Sequence, residues 1–414
     1  MAIVKPFKAL RPAGQEQSVA SLPYDVMNRE EAKVMAGHNP NSFLHVVRAE
    51  IDLPDTVGAY DDSVYQKGRE KLDAMQAEGI FSQDEKPCFY IYQQVMHGRA
   101  QTGLVACCSI DEYLNNTIKK HEFTREAKEI DRIKHFDACD ANTAPIFLTY
   151  RSQAEVNDII SDWTDSKAVL FDFVSDDGIE HRGWKIDDDA LVTRLDDLFR
   201  DVDYLYIADG HHRSASAAKV GLKRREAKPT FTGDEEFNRF MAVIFPDRDL
   251  FVMDYNRVVK DLNQHSTDEF LQLVGKNFDV QMYNQEGPYH PEAKHFFGMF
   301  LDGQWYVLKA KEGTYDVAHP VKSLDSAILQ DNLLNPVLGI GDPRTDDRID
   351  FIGGIRGLGE LERRVANDMK VAFSMYPTSI EDLMAVADAG EVMPPKSTWF
   401  EPKLRSGLFV HKLS

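Results

Sequence analysis

One short segment limits the possible folds more than any other, because an apolar strand, a polar turn and a helix follow one another without a gap. Tyr204 to Ala208 is predicted to be a buried strand, and Ser214 to Val220 an alanine-rich helix. Between them lies the segment Asp209-Gly-His-His-Arg213, called here the 209–213 box. The ends of strands that lead into helices are where α/β proteins usually carry their sites, so the box is the main site candidate.

The residue types in the 209–213 box suit phosphate binding or acid–base chemistry. Gly210 permits a positive φ or a close backbone approach, and the first turn of the helix offers N–H groups and a partial positive charge. Arg213 adds a planar fork of donors that fits phosphate. His211 and His212 titrate near neutral pH beside Asp209, so the box can also exchange protons.

Two simpler interpretations of the box remain open. It could be a polar turn in which Asp209 caps a helix and the two histidines are incidental. It could also be a metal site, but adjacent residues at a helix start diverge by about 100° around the axis. His211 and His212 therefore cannot easily bind one ion together, and the H-E-x-x-H pattern is missing. No protein ligand for a metal is assigned.

The remaining patterns mix strands and helices irregularly. Residues 88–95 and 102–110 are predicted to form a hairpin around His97-Gly98, and Phe43-Leu-His-Val46 is interpreted as a turn into a strand. Several other segments have the apolar spacing of helices, namely 55–78, 124–138 and 188–200. The mixture favours an α+β or mixed α/β fold with mixed sheets over a pure doubly wound sheet.

The domain division is weakly marked in the sequence. The gentlest break lies near residues 261–266, which predicts an N-terminal α/β region at 1–262 and a C-terminal α/β region at 263–414. Two glycine-containing loops, 339–344 and 353–357, fall in the second region, and neither matches a P-loop or a dinucleotide-binding fingerprint.

A second cluster of functional residues precedes the predicted helix at 124–138. It comprises Lys120, His121 and Glu122, followed by Arg132. Lys120 and Arg132 could neutralise phosphate, and Glu122 could act as a general base or bind Mg²⁺. The spacing by itself fits a solvated, salt-bridged helix face equally well.

A third cluster lies in the turn-rich segment 393–408, which we expect to return to the site. It contains cations and hydroxyl groups that can surround a phosphate: Lys396, Ser397, Thr398, Lys403, Arg405 and Ser406. The alternative is an ordered tail that packs Trp399 and Phe400 on the core, and the two readings are compatible.

Charge and composition exclude several classes of protein. The 68 acidic and 48 basic side chains give a net charge of −20, which repels nucleic acid and anionic lipid, so no nucleic-acid partner is expected. There is no apolar h-region at the start and no apolar run of about 18 residues, so neither a secretory signal nor a membrane span is expected. The four cysteines lack a C-x-x-C pair, which favours reduced, buried thiols in a cytoplasmic protein. The oligomeric state is not predicted.

Five ordered motifs together resemble a known family. They are Pro23-Tyr-Asp-Val26, Lys120-His-Glu122, Asp131-Arg132, the 209–213 box and Pro394-Pro-Lys-Ser-Thr398. This combination resembles the domain-of-unknown-function 1015 family of bacteria and archaea, over residues 3 to about 412. The box also looks like the phosphate-binding box of the ParB/sulfiredoxin-like group, which includes kinases that act on free L-serine. The resemblance implies a core of that type with additional α/β elements.

The resemblance implies phosphoryl transfer to the hydroxyl of a small amino acid, with L-serine as the expected acceptor. The donor would be pyrophosphate, ADP or ATP, and Mg²⁺ is the expected cofactor, near Asp209 and Glu122. The residues expected to take part in catalysis are Asp209, His211, His212 and Glu122. Those expected to bind phosphate or substrate are Gly210, Arg213, Lys120, His121, Arg132, Lys396, Ser397, Thr398 and Arg405.

Two other classes of function remain open. A non-catalytic nucleotide- or ligand-binding regulator of ParB-like type could use the same box without turnover. A metal-dependent phosphoesterase would release phosphate without an acceptor.

Overall fold

The structure is a computed structural model that describes residues 2–414. These residues form two compact units, which are described separately. The first comprises the chain up to Leu250 together with Pro402–Ser414, and the second comprises Phe251–Glu401. The domain boundary expected between residues 262 and 263 stays a prediction.

The strands and helices have the following bounds. The strands are β1 (Val4–Lys5), β2 (Leu10–Pro12), β3 (Phe81–Gln83), β4 (Phe89–Met96), β5 (Arg99–Ser109), β6 (Ile118–Lys119), β7 (Ala141–Asn142), β8 (Ile146–Tyr150), β9 (Phe171–Val174), β10 (Glu180–Ile186), β11 (Leu205–Asp209), β12 (Arg239–Pro246), β13 (Val252–Met253), β14 (Tyr255–Val259), β15 (Phe278–Met282), β16 (Phe296–Leu301), β17 (Gln304–Ala310), β18 (Ile349–Gly353), β19 (Val371–Ser374), β20 (Trp399–Phe400) and β21 (His411–Lys412). The helices are α1 (Glu16–Val19), α2 (Arg29–Ala36), α3 (Leu44–Val47), α4 (Asp62–Ala77), α5 (Ile110–Leu114), α6 (Glu126–Cys139), α7 (Ala154–Ser166), α8 (Asp189–Arg200), α9 (His211–Ala227), α10 (Thr267–Asn277), α11 (Asp325–Leu329), α12 (Gly359–Asn367) and α13 (Ile380–Asp388).

A mixed sheet of nine strands organises the first unit. Its order is β6-β11-β8-β12-β5-β4-β10-β9, and β1 pairs with β5. The pairs β11–β6 and β12–β8 are parallel, while the other pairs are antiparallel. The predicted mixed α/β class with mixed sheets is therefore confirmed.

The central strands of this sheet are buried on both faces, which explains their nearly continuous apolar sequences. Phe240, Ala242 and Ile244 of β12 belong to the large apolar core, and the alternate residues of β12 are buried as well. Helix α6 packs on helix α9, where the Ser216 hydroxyl donates to the Glu129 carbonyl over 3.1 Å. The four cysteines are free and buried, as expected.

Several sequence-based boundaries are confirmed by local chemistry. Asn28 and Glu31 form a capping box at the start of α2, and Gly37 ends that helix with a positive φ. The predicted hairpin of β4 and β5 turns at His97 and Gly98, which both have positive φ as its two-residue turn requires.

Three local predictions are wrong. Helix α4 begins at Asp62 instead of residue 55, because the Asp61 carboxylate caps it by accepting the Ser63 N–H. The segment predicted as a strand after Phe43 is the helical turn α3, whose burial overrides the strand preference of its two valines. Helix α9 begins at His211, three residues before the predicted start.

The second unit is built on an antiparallel sheet of six strands in the order β15-β17-β16-β19-β14-β18. One face packs against α10 and against α11 with the π-helical turn Gln330–Leu334 that continues it. Ser266 and Glu269 form the capping box of α10. Within residues 2–414, no helix is long and apolar enough to cross a membrane.

Asp325, the first residue of α11, is buried in the second unit with only one of its carboxylate oxygens bonded. Oδ1 accepts the His295 N–H over 2.8 Å, while Oδ2 has no hydrogen-bond partner among residues 2–414. Burial raises the pKa of this carboxyl to about 7. The folded state therefore favours the neutral acid.

We expect Asp325→Asn to stabilise the protein at pH 8 by about 1–3 kcal/mol and to have little effect near pH 4. The pKa is raised in the folded state, so wild-type stability is full below the unfolded pKa of about 4 and falls as the pH rises towards 7. Asn keeps the acceptor for His295 and carries no charge. Urea unfolding at both pH values measures the difference, with the exposed Asp331→Asn as control; an equal effect at both pH values would contradict the assignment.

Candidate active site

The 209–213 box joins the end of β11 to the start of α9. Gly210 has a φ of 100° and a ψ of 28°, a backbone conformation that favours glycine. The pairing of β11 with β8 shifts register between Ile207 and Asp209, which is a β-bulge beside the box. A Cβ at position 210 would lie 3.1 Å from Arg213 Nε, so the turn also depends on the absence of a side chain.

Asp209 is held between two cations. Its carboxylate lies 3.4 Å from Lys403 Nζ and 3.9 Å from the nearest guanidinium nitrogen of Arg213. Burial opposes ionisation, but these charges, Lys403 foremost, lower the pKa to about 2. Asp209 is therefore an anion throughout the physiological range, while its side chain keeps 34% of its surface exposed.

The two histidines of the box accept hydrogen bonds from the backbone of one segment, residues 121–125. The His121 N–H donates to His211 Nε2 over 3.5 Å, and the Arg125 N–H donates to His212 Nε2 over 2.9 Å. A ring nitrogen that accepts an N–H cannot carry a proton, so each ring holds its proton on Nδ1. Burial lowers the pKa of both histidines, which agrees with neutral rings.

The same segment brings Glu122 to the box. One of its carboxylate oxygens lies 3.6 Å from His211 Nδ1, the nitrogen that carries the proton. The Glu122 side chain is about half exposed, at 54%. His121 packs edge-on against His211 with ring centroids 4.4 Å apart, and burial lowers the pKa of His121 to about 4.

The first turn of α9 supplies donors for an anion. The N–H groups of His211, His212 and Arg213 precede the first residue that can bond within the helix, Ser214, whose N–H donates to the Gly210 carbonyl over 2.9 Å. Arg213 itself is buried and donates to the Pro145 carbonyl, so it organises the turn from behind. The helix start, with Lys403 at its side, favours a negatively charged group.

A cavity of about 210 Å³, called here the charged cavity, lies along α6 in the same unit. Two buried ion pairs face it: Arg48–Glu50 at 2.8 Å and Arg132–Asp131 at 2.7 Å. Its charged lining comprises three cations and three anions, namely Arg48, Lys128, Arg132, Asp25, Glu50 and Asp131.

Helix α6 connects the charged cavity to the box. Its residues Lys128, Asp131 and Arg132 face the cavity, and Arg125 immediately before it donates to His212. After burial, the charges of Lys128 and Asp25 are the main influences on the pKa of His212, which agrees with their proximity.

Tyr24 forms the wall of the charged cavity nearest to Arg132. The centre of its ring lies 3.8 Å from Cζ of Arg132. Burial raises the pKa of the Tyr24 hydroxyl, and the positive charge of Arg213 has a smaller, opposite effect. The Tyr24 hydroxyl is buried and has no hydrogen-bond partner within residues 2–414.

One known protein family matches most of the chain. The family described as "Protein of unknown function (DUF1015)" matches residues 4–327. The chain belongs to this family. The region shared with DUF1015 contains the whole box, the 121–125 segment and the charged cavity, and it ends before Lys396 and Lys403.

Three solved structures have a low similarity to this chain. They are a free serine kinase in complex with AMP (16% identity, TM-score 0.36, covering 74% of this DUF1015 chain and 91% of that chain), a conserved hypothetical protein from Pyrococcus furiosus (14%, 0.35, 74% and 94%) and SbnI with a C-terminal truncation from Staphylococcus aureus (12%, 0.36, 74% and 86%). At these scores the likeness carries no argument about function. No curated protein matches the chain.

Some residues predicted for the DUF1015 site lie elsewhere in the first unit. Lys120 Nζ donates to the Tyr113 carbonyl over 2.7 Å and covers the Tyr113 ring. Arg405 is buried and binds Asp177 and Ser175. Arg132 faces the charged cavity, as described above.

The predicted residues Lys396, Ser397 and Thr398 belong to the second unit. The Lys396 carbonyl accepts from Arg257 over 3.1 Å, and the Ser397 hydroxyl lies 2.8 Å from that of Ser326.

Sequence reasoning missed three residues that the geometry brings forward. Lys403 falls in the turn-rich segment 393–408, but no feature of the sequence indicates that it pairs with Asp209, which is 194 residues away along the chain. Tyr24 and Arg48 carry no local signal of a cavity, although Tyr24 lies in one of the motifs on which the family resemblance rests.

We expect Gly210→Ala to destabilise the protein by about 1–3 kcal/mol, because the new Cβ adds backbone strain and crowds Arg213. Gly98→Ala is the matched control: Gly98 also has a positive φ, but a Cβ there would meet nothing within 4 Å. Urea unfolding compares the two variants. If Gly210→Ala lowers the free energy of unfolding no more than Gly98→Ala does, the turn at position 210 is not crowded.

Proposed function

We propose that the 209–213 box and the 121–125 segment transfer a phosphoryl group to the hydroxyl of a small free amino acid. The observation that supports this most is the combination of an anion-binding helix start, a carboxylate 3.6 Å from the adjacent His211, and a neighbouring cavity lined equally by positive and negative charges. Such a reaction depends on positioning and charge neutralisation more than on covalent chemistry.

The phosphoryl donor is held by the N–H groups at the start of α9 and by Lys403. Lys403 Nζ lies 3.4 Å from the Asp209 carboxylate, nearer than the Arg213 guanidinium, and can bind a phosphate oxygen as a point charge. Arg213 lies behind the turn, where its charge favours the anion without contact. Pyrophosphate, ADP and ATP all offer the terminal phosphate that this arrangement requires.

Glu122 is the better candidate for the general base of the two predicted carboxylates. A base must take up a proton near neutral pH, and a group whose pKa is about 2, as for Asp209, is poorly suited to do so. Glu122 is half exposed beside the Nδ1–H of His211, which orients it. Asp209 then serves to position Lys403.

The histidines act as neutral groups in this proposal. Because their Nε2 atoms accept backbone N–H groups, neither His211 nor His212 supplies a positive charge to the moving phosphoryl group. They hold the 121–125 segment, and therefore Glu122, against the helix start. His211 Nδ1–H remains available as a neutral donor.

Mg²⁺ fits this site as part of the donor substrate. It usually takes one or two protein carboxylates together with phosphate oxygens and waters, and Asp209 and Glu122 both lie at the box. Among the described residues 2–414, no three His, Cys, Asp or Glu side chains are grouped to hold a metal ion without such a substrate.

The charged cavity is proposed to hold the acceptor amino acid. A zwitterion carries one carboxylate and one ammonium group, so it suits a lining with three cations and three anions. The Tyr24 hydroxyl, which has no hydrogen-bond partner among residues 2–414, is a further polar group for it. L-Serine is the first acceptor to test, and we propose the cytoplasm as the location of the protein.

We expect purified protein to form O-phosphoserine from L-serine and Mg²⁺ with one of ATP, ADP or pyrophosphate, as measured by ³¹P NMR. Glu122→Gln should lower turnover by about 10²-fold or more, because the base is lost. Asp209→Asn should also lower it, since Lys403 loses its partner. Glu126→Gln, which changes an exposed acid at the start of α6, is the control and should keep full turnover.

Other outcomes of that survey discriminate between the alternatives. Nucleotide binding without phosphoserine, from folded protein, would contradict the kinase proposal and favour a binding regulator. Phosphate release without an acceptor would favour a phosphoesterase.

We expect Tyr24→Phe to raise KM for the amino acid about tenfold with little change in kcat, because a bound substrate loses one hydrogen bond. The melting temperature should not fall, because the hydroxyl has no hydrogen-bond partner in the described part of the chain. Tyr150→Phe is the matched control, since the Tyr150 hydroxyl is also buried without a hydrogen-bond partner among residues 2–414, but Tyr150 does not line the charged cavity. An unchanged KM in Tyr24→Phe would place the acceptor elsewhere.

A further inference from the structure

Arg257, in β14 of the second unit, is a buried cation without an anionic partner in the described part of the chain. Only 4% of the residue is exposed. Its guanidinium donates to two backbone carbonyls, those of Tyr255 and Lys396, and lies 5.5 Å from the centre of the Phe351 ring. No carboxylate among residues 2–414 approaches it within the 4.0 Å of an ion pair.

Such an arrangement is costly unless something else supplies the charge. Buried charges in proteins are normally paired, because carbonyl groups replace only part of the lost hydration. Burial lowers the pKa of Arg257 to about 10, so the side chain is still a cation at neutral pH. Asp325 acts on it electrostatically from beyond ion-pair distance, and that carboxyl is itself largely neutral below pH 7.

A cavity of about 340 Å³ adjoins Arg257 within the second unit, and is called here the Arg257 cavity. Two segments meet at this cavity: the glycine-containing loop 339–344 and the proline turn at 394–398. Their residues Gly341–Arg344 and Pro394–Pro395 line it together with Ser326, Gln330 and Phe351.

The walls of the Arg257 cavity are fixed by their own hydrogen bonds. Gln330 donates to the Ile340 carbonyl over 2.7 Å, which holds the 339–344 loop. Ser397 donates to the Pro394 carbonyl over 2.7 Å and lies 2.8 Å from Ser326, which holds the proline turn. Arg344, the other cation at the cavity, is already paired with Asp342.

The lining combines one unpaired cation with an apolar surface. Phe351, Leu334 and three prolines form the apolar part, and the polar part consists of Arg257, Ser326, Gln330 and the Arg344–Asp342 ion pair. A volume in the range of small-molecule sites and a few convergent polar groups are typical of a ligand pocket. A free inorganic ion alone would leave the apolar part uncovered.

We propose that the Arg257 cavity binds a small organic anion, whose carboxylate or phosphate group pairs with Arg257 while its body packs against Phe351 and the prolines. Arg257 presents the planar fork of donors that both groups accept. The proposal concerns residues 251–401 alone and does not depend on the reaction proposed for the box.

Hydrogen exchange measured by mass spectrometry on the full chain tests this proposal locally. The probes are inorganic phosphate, pyrophosphate, adenosine 5′-monophosphate and citrate, each added separately. At a concentration about ten times its dissociation constant, a bound probe should slow exchange in segments 339–344 and 394–398 about tenfold. When all probes are added at one common concentration, an organic anion should slow exchange more strongly than inorganic phosphate.

Four variants test whether slower hydrogen exchange results from an anion bound at Arg257. Arg257→Gln, which keeps donors for the two carbonyls, should lose the protection; Arg257→Lys, which keeps the charge without the fork, should weaken it. Lys403→Gln should retain it, because that change affects anions bound at the box. Arg363→Gln, an exposed arginine paired with Glu360 in the same unit, is the matched control and should retain it too.

The outcomes decide the proposal in either direction. Protection by adenosine 5′-monophosphate or citrate that Arg257→Gln abolishes would support it, and the relative effect of the two probes would show whether phosphate or carboxylate is preferred. If no probe slows exchange in the two segments, or Arg257→Gln is protected as well as wild type, the proposal is wrong and Arg257 serves only to join Tyr255 to Lys396.

Discussion

Two backbone N–H groups, those of His121 and Arg125, determine the state of the whole candidate site. Each donates to the Nε2 atom of a box histidine, which fixes the tautomer and keeps both rings neutral. The same bonds hold the segment that carries Glu122, so the position of the carboxylate and the protonation of the histidines have one cause. The positive charge therefore falls to Lys403 and Arg213, with Asp209 between them.

Neutral histidines change how the Asp-Gly-His-His-Arg sequence is understood. Two imidazoles beside a carboxylate suggest acid–base catalysis when the sequence alone is considered. In the folded protein, burial and the backbone donors remove them from titration near neutral pH, so in the proposed reaction they position other groups. That proposal leaves the chemistry to the helix start, Lys403 and Glu122.

Local signals account for the parts of the fold and site that the sequence could predict. The capping box at Asn28 and the turn at His97-Gly98 act over two to four residues, and the strand-to-helix step at Gly210 follows from the same kind of signal. The pairing of Lys403 with Asp209, 194 residues apart, has no local trace. Nor has the environment of Arg257, because its lack of an anionic partner among residues 2–414 is a property of the tertiary structure and not of the residues beside it.

The chain order of the first unit has a consequence for biosynthesis. The chain leaves this unit after Leu250 and comes back at Pro402, so Lys403 reaches Asp209 only after the entire second unit has been synthesised. Since domains generally fold as units while the ribosome is still at work, β11 and α9 exist for a time with the carboxylate of Asp209 lacking that cation. The nascent protein can therefore form the Asp209–Lys403 ion pair only after residues 251–401 have been made.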